Sequence, residues 1–354
     1  MNKNYNDYCS KYKMNDYPYI SLLSEYKPEV IFEKLKQYIP IIIKSNTKYY
    51  ITGFNEKNTK YLPPIYGVNK RNNNNQYVYV MSDKYMKIDI ITDWFTETFR
   101  IRSKKKYNKY SIYDTWKNME ISKHFIDKLE YMNKDEIIKI SQDIFHGPIK
   151  SVTTFRPTWI KGIYKILELK LLTNSTRIHV LDASMGWGDR LITTIAMNWD
   201  YTGYDPNINL ESAYKKIIKL FGNESRHKYI IESFETQDIK EETYDIAFTS
   251  PPFYDLEIYD ENPETNKGQS IVKYLTFEDW KVNFLIKSVK KMWNGIKPGG
   301  ILSIHIRDYD KNNMVLSMLD TLDEYNNSIY LGVIGIKGGD IYTACWCWRK
   351  SVKK

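Results

Sequence analysis

Cysteine is scarce in this chain. Its three copies, Cys9, Cys345 and Cys347, build no disulfide framework. The Cys345–Cys347 pair has no histidine or cysteine partners at zinc spacing, so no structural zinc is expected and a reducing interior is the simplest setting. Histidine is almost as thin, with five copies. His146, His179 and His305 share no metal spacing, and no metal is expected. His179 and His305 fall in strand patterns, where a satisfied core histidine is the ordinary outcome. No run of about 18 apolar residues occurs, which argues against a membrane-spanning helix. The opening residues, "MNKNYNDYCSKYKMNDY", lack the apolar stretch of a secretory leader. The chain is therefore expected to be intracellular, in the cytoplasm or at nucleic acid, with no membrane partner.

What is abundant is tyrosine, with 31 residues, and positive charge, with a net +9 over 354 residues. The charge is unevenly placed. Residues 1–150 hold 26 Lys and Arg against 17 Asp and Glu, whereas the remainder holds 26 of each. A basic part joined to a neutral part suggests docking to a polyanion in one and chemistry in the other.

The length allows two domains. Residues 1–30 read as a polar, tyrosine-rich arm. "PEVIFEKLKQYIPIIIK" reads as a helix running into a strand, and "KYYITGF" and "QYVYVMS" read as strands around the polar loop "NKRNNNNQ". Helical spacing returns in "SIYDTWKNMEISKHFIDKLEYM" and "KDEIIKISQDIF". Residues 1–148 thus form a smaller α+β module. From residue 149 to 354 the pattern changes. Apolar strands ("RIHVLDA", "DYTGYDP", "KYIIES", "YDIAFTS", "ILSIHIRDY") alternate with amphipathic helices, and "IYLGVIGI" and "YTACWCWRK" close as a hairpin. That alternation predicts an α/β fold with a mostly parallel sheet covered on both faces and an antiparallel C-terminal hairpin.

"VLDASMGWGDRL" is a strand, a tight turn through Gly186 and Gly188, and a helix start. It lacks the Gly-Lys-Ser/Thr of a phosphate loop, which argues against a nucleoside triphosphate. Asp182 at the strand end suits a cationic or ammonium group. Asp205 ends the next strand, at the place where a carboxylate holds a ribose diol in dinucleotide folds. The spacing fits an adenosyl ligand and also fits a purely structural turn. "TSPPF" follows the fourth strand. Two adjacent prolines fix φ and remove N–H donors, so the strand ends in a rigid extended elbow.

Together these segments resemble the Rossmann-like S-adenosylmethionine-dependent methyltransferases, across about the last 200 residues. The resemblance implies a doubly wound, seven-stranded sheet. It implies that Ala183, Met185, Gly186 and Gly188 cradle S-adenosyl-L-methionine, that Asp182 meets its amino-acid part and that Asp205 takes its ribose. Ser233 and Phe234 fall near the adenine, although many relatives have Asp at the position of Ser233. The helix in "TTFRPTWIKGIYKIL" is placed to close the methionine end. "SPPF" resembles the [DNS]-P-P-[YFW] motif of amino-methyltransferases. An exocyclic amine on a base is a weak nucleophile because its lone pair is delocalised. It gains strength when its N–H bonds are accepted by Ser250 Oγ and the Pro251 carbonyl, held rigid by Pro252, with Phe253 stacked on the base.

The implied activity is methyl transfer to an exocyclic amine of a nucleic-acid base, cytosine N4 or adenine N6, with DNA favoured over RNA. Serine at the first motif position leans toward cytosine N4. An RNA base, or a silent subunit that binds nucleic acid, are the alternatives. No cysteine follows a proline, so attack through a cysteine nucleophile at cytosine carbon 5 is not expected. In "RIRSKKKYNKY", Arg100, Arg102, Lys104, Lys105, Lys106 and Tyr107 are candidates for phosphate and base contacts. The loop after the elbow, 254–276, is expected to be polar and mobile over the substrate, with Asp255 and Glu257 as weaker candidates. Asp308 is expected to be structural.

Overall fold

A computed structural model of the chain describes residues 18–45, 68–69, 74–75, 77–82, 86–117, 152–338 and 341–352. Nine strands form one sheet. In chain order they are β1 (Ile41–Ser45), β2 (Tyr77–Met81), β3 (His179–Asp182), β4 (Asp200–Tyr204), β5 (His227–Ile230), β6 (Tyr244–Thr249), β7 (Ile296–His305), β8 (Ser328–Gly338) and β9 (Ile341–Lys350). Across the sheet the order is β1-β2-β8-β9-β7-β6-β3-β4-β5. Strands β3 to β7 are mutually parallel, and β9 runs antiparallel between β7 and β8. These are the seven expected strands with their closing hairpin.

Two further strands come from the N-terminal part. β2 pairs parallel with β8, and β1 pairs antiparallel with β2. The sheet is therefore wider than the seven strands expected. The expected boundary at 148/149, the strand expected at "KYYITGF" and most of the helical pattern after residue 117 lie outside the described residues. Within the expected arm, α1 (Pro18–Leu23) is helical because Tyr19, Ile20 and Leu23 find a core to bury in. The rest of that arm before Pro18 also lies outside the described residues.

Alternation along the strands sorts side chains onto two faces. On β6, Ile246 and Phe248 join one core and Ala247, between them, joins the other. All six residues of β6 are buried, as a central strand covered on both faces demands. The first face carries α2 (Pro28–Gln37), α3 (Asp93–Arg100), α4 (Pro157–Glu168), α5 (Asp189–Ala196) and α6 (Glu211–Phe221). The second carries the helical run that ends in α7 (Lys287–Gly295), and α8 (Met314–Asp323). Lys281–Ile286, just before α7, is wound as a wider π-turn, a form often found at functional sites.

The chain runs outward from β3 through β4 to β5, then returns to place β6 on the other side of β3. Between β3 and β6 the winding therefore changes direction. In open α/β sheets such a switch point leaves a crevice beyond the carboxyl ends of the strands. The glycine turn after β3, Asp205 after β4 and the proline elbow after β6 all fall there. Among the described residues, no helix is long and apolar enough to cross a membrane.

Candidate functional site

A cavity of about 380 Å³ opens at these strand ends, within the size range of small-ligand sites. Its floor is the glycine turn. Gly186 and Gly188 have φ of +55° and +85°, the left-handed region that glycine adopts without a Cβ clash. Gly186 donates its N–H to Asp205 Oδ2 at 2.8 Å, and Asn207 donates to Oδ1 at 3.0 Å. Burial pushes the Asp205 carboxyl up to about 6, against the pull of these two N–H donors. Ser233 and Phe234 stand at the far end, with Phe234 edge-on to Tyr204 at 5.1 Å.

The elbow contributes a second part of the lining. Ser250, Pro251, Pro252 and Phe253 all face the cavity. Directly afterwards Tyr254 takes φ of +54°, which turns the chain and seats its ring against Phe277 and Trp280. The parallel register of β6 and β7 pairs Thr249 with Ile304. The next residues on each strand, Ser250 and His305, therefore meet, with Ser250 Oγ 2.9 Å from His305 Nδ1. His305 Nε2 lies 3.1 Å from Thr343 Oγ1. Burial, with Arg307 and Arg190 nearby, pushes the His305 imidazole down to about 3. His305 was expected to be an ordinary core residue; it instead lines the cavity beside the elbow.

Three expected cofactor residues do not reach the cavity surface. Asp182 is fully buried behind it. Its carboxylate accepts from Arg190 Nε at 2.6 Å, from the Tyr201 hydroxyl at 2.7 Å and from the Ser184 N–H at 3.2 Å. Arg190 lines the cavity in its place, so Asp182 acts as the anchor of that guanidinium. Met185 packs under the turn against Gly203, where an added Cβ would sit 2.5 Å from its Cγ. Gly188 faces Ile217 and Tyr214. Ala183 and Gly186 line the cavity.

The basic segment divides. Arg100 is buried, donates from Nε to Glu97 Oε2 at 2.8 Å and bonds the Val152 carbonyl at 2.8 Å. The expectation that it contacts substrate is corrected: its acidic partners lie on its own helix, and it ties α3 to residue 152. Arg102 stacks over Tyr113 at 4.4 Å. Lys104 and Lys105 pair as a short ribbon with Glu257 and Ile258. Lys104 Nζ is 2.6 Å from Glu261, and Lys106 forms an ion pair with Asp255. Tyr107 is exposed. Of this set Lys105 alone lines the cavity. The loop after the elbow is thus paired with the basic segment. Glu257 accepts from the Tyr259 hydroxyl at 2.9 Å, and burial raises its carboxyl.

Side chains on other segments complete the walls: Phe155, Trp159, Trp187 and Phe284, the last from the π-turn. The Phe155 ring lies 4.9 Å from His305 and edge-on to it. Aromatic residues in helical or loop spacing give no local sign of such a role. Asp308 caps α8 by accepting from the Val315 N–H at 2.8 Å, and His179 is satisfied by Thr202 at 3.0 Å, both as expected. Among the described residues no cluster of His, Cys, Asp or Glu could hold a metal ion.

Fold and site define a Rossmann-like α/β protein with a crevice at the switch point. No protein-family model matches the sequence, and no curated protein does either. Solved structures similar to the chain include TrmN from Thermus thermophilus, at 11% identity, covering 55% of this chain and 49% of that one, with a TM-score of 0.38. The chain thus spans about half the length of TrmN. An S-adenosylmethionine-dependent O-methyltransferase from Thermotoga maritima is similar at 12% identity over 60% of this chain and 71% of its own, with a TM-score of 0.38. An rRNA methylase from Streptococcus thermophilus is similar at 14% identity over 57% of this chain and 100% of its own, with a TM-score of 0.36.

Proposed function

We propose that this chain is an S-adenosyl-L-methionine-dependent methyltransferase acting on an exocyclic amino group of a nucleic-acid base, with DNA the favoured substrate. One observation carries the reading. The Ser250–Phe253 elbow and the Gly186 turn with Asp205 open into a single cavity at the switch point of the sheet.

The residues present suit the cofactor. Asp205 offers a carboxylate for ribose hydroxyls, and Phe234 offers a flat wall for adenine. Arg190, braced by Asp182, offers a cation for a carboxylate. An added Cβ at Gly186 would meet only the Arg190 guanidinium, at 3.9 Å, which leaves the backbone open to a ligand. Bound there, S-adenosylmethionine supplies an electrophilic methyl group on sulfur.

The protein's own part is orientation and charge. Ser250 Oγ and the Pro251 carbonyl accept the amine hydrogens and draw the nitrogen lone pair out of conjugation. The prolines hold the acceptors still, so little reorganisation remains for the transition state. Phe253 supports the base. A base inside a duplex must be flipped out to reach this depth. The basic excess of residues 1–150 supports a polyanionic substrate.

Mass spectrometry of nucleosides from DNA and RNA, after incubation with protein and labelled cofactor, tests the reading. Labelled N4-methylcytosine or N6-methyladenine from DNA is expected. Label in RNA alone moves the substrate but keeps the chemistry. Cofactor binding without transfer to either would indicate a silent subunit, and absence of both binding and transfer ends the proposal.

A further inference from the structure

We propose that His305, braced by Thr343, is a positioning residue that holds the Ser250 hydroxyl hydrogen away from the cavity, so that Ser250 Oγ presents lone pairs to the incoming amine. This rests on the reading of Ser250 as an amine acceptor. The imidazole bridges two hydroxyls, Ser250 Oγ at 2.9 Å from Nδ1 and Thr343 Oγ1 at 3.1 Å from Nε2. A hydroxyl has one hydrogen and two lone pairs. If that hydrogen pointed into the cavity, it would meet the N–H donors of the amine head on. The chain of bonds permits two directions. In one, Ser250 donates to a bare Nδ1, and Nε2–H donates to Thr343. In the other, every bond is reversed and Ser250 Oγ spends a lone pair on Nδ1–H.

Only the first direction leaves Ser250 as a double acceptor toward the cavity. Thr343 Oγ1 accommodates it by accepting from Nε2–H, and the choice of this direction is the part of the proposal that the test reads. The ring is held between Phe155 at 4.9 Å and Phe253 at 5.8 Å, which limits its rotation. The charged groups that act on it, Arg307 on the chain after β7 and Arg190 on α5, are both cations. They and the burial keep the imidazole neutral. His305 is therefore a fixed acceptor and not a proton store.

The test reads the ring itself. Protein carrying ¹⁵N-histidine is examined by long-range ¹H–¹⁵N correlation NMR between about pH 6 and 8, the range in which an ordinary histidine titrates. His305 is assigned among the five histidines by loss of its signals in His305→Asn. A neutral ring with hydrogen on Nε2 throughout, and an Nδ1 shift that moves in Ser250→Ala, is the expected result. Hydrogen on Nδ1, or a ring that charges within this range, overturns the proposal. This readout stands whether or not the protein methylates anything, so it separates the bridge from the functional reading.

Kinetics supply the second arm. His305→Leu is expected to lower kcat roughly 2- to 10-fold, the net worth of one hydrogen bond between neutral groups, with cofactor affinity unchanged. His305→Asn, whose amide oxygen replaces Nδ1, is expected to recover most of that loss. Thr343→Val is expected to shift the ring toward the Nδ1–H form and to lower kcat. The double variant Ser250→Ala with His305→Leu is expected to be no slower than Ser250→Ala alone. Losses that multiply would show that His305 acts independently of Ser250 and overturn the assignment.

Discussion

The Gly186 N–H donates to Asp205 Oδ2 at 2.8 Å and so clasps the ends of β3 and β4 together. Each carboxylate oxygen already holds one backbone N–H, and each keeps a lone pair for a ligand. Asp205→Ala is expected to weaken S-adenosylmethionine binding roughly 10- to 100-fold, the range for hydrogen bonds to a charged group. Because the acceptor is the charged form and the carboxyl is raised to about 6, affinity is expected to fall as pH drops through that value. Calorimetry of both proteins at neutral and mildly acidic pH checks this. Equal affinity in the variant would remove Asp205 from the ligand site.

Met185 is the wedge beneath the turn. It is buried, and its N–H donates to the Tyr204 carbonyl at 2.9 Å. Gly203 makes room for it, since an added Cβ would lie 2.5 Å from both Met185 Cγ and Tyr201 Cε1. Gly203→Ala is expected to cost about 1–3 kcal/mol, the usual price of overpacking, and to disturb the cofactor floor. The midpoint of urea unfolding measures the first effect and cofactor affinity the second. A variant as stable as the parent would mean that Met185 has space to move aside.

Ser250→Ala keeps the elbow and its prolines but removes one acceptor. Turnover is expected to fall roughly 10- to 100-fold, whereas cofactor affinity is expected to hold, because Asp205 and the glycine turn are untouched. A variant with full turnover would refute the acceptor role.

The parts of this site that were legible in the sequence are those written locally. The strand, turn and helix of "VLDASMGWGDRL" need only period and glycine, and the elbow needs only two prolines after an apolar run. The parts that were not legible depend on which strands lie side by side. His305 meets Ser250 because β7 lies beside β6 in one register, across 55 positions of chain. Arg190 takes up Asp182 because the helix start folds back over the strand end. β2 joins the sheet through a parallel pairing of Tyr79 with Gly335, which no local pattern announces. Arg100 was misread because a run of cations was weighed without Asp93 and Glu97 on the same helix.

The basic ribbon has a consequence for salt dependence. Lys104 and Lys106 are paired with Glu261 and Asp255, and Lys105 faces the cavity. A paired lysine adds little to phosphate binding unless its acid partner is displaced. Replacing all three by alanine is expected to reduce the slope of log affinity against log salt by about 1, the contribution of a single phosphate contact. Fluorescence anisotropy with a labelled oligonucleotide at several salt concentrations gives the slope. A reduction of about 3 would show that all three reach the backbone.

Folding stability should carry the signature of Asp93. It is buried at the start of α3, with the Tyr19 hydroxyl donating to Oδ2 at 2.6 Å and Arg100 at 3.8 Å from Oδ1. Burial outweighs the attraction of Arg100, and the carboxyl is raised to about 7. In the unfolded chain an aspartate titrates near 4. The folded protein therefore binds a proton that the unfolded chain releases. That contribution to stability is full below about pH 4 and is lost as pH rises through about 7. Asp93→Asn is neutral at every pH and lacks the dependence. The wild type is thus expected to gain stability relative to the variant as pH falls from about 7.5 to about 5.5. Urea unfolding of both proteins at three pH values in that window measures the difference. A gap that stays constant would show that Asp93 is charged in the folded state throughout, with Arg100 outweighing burial.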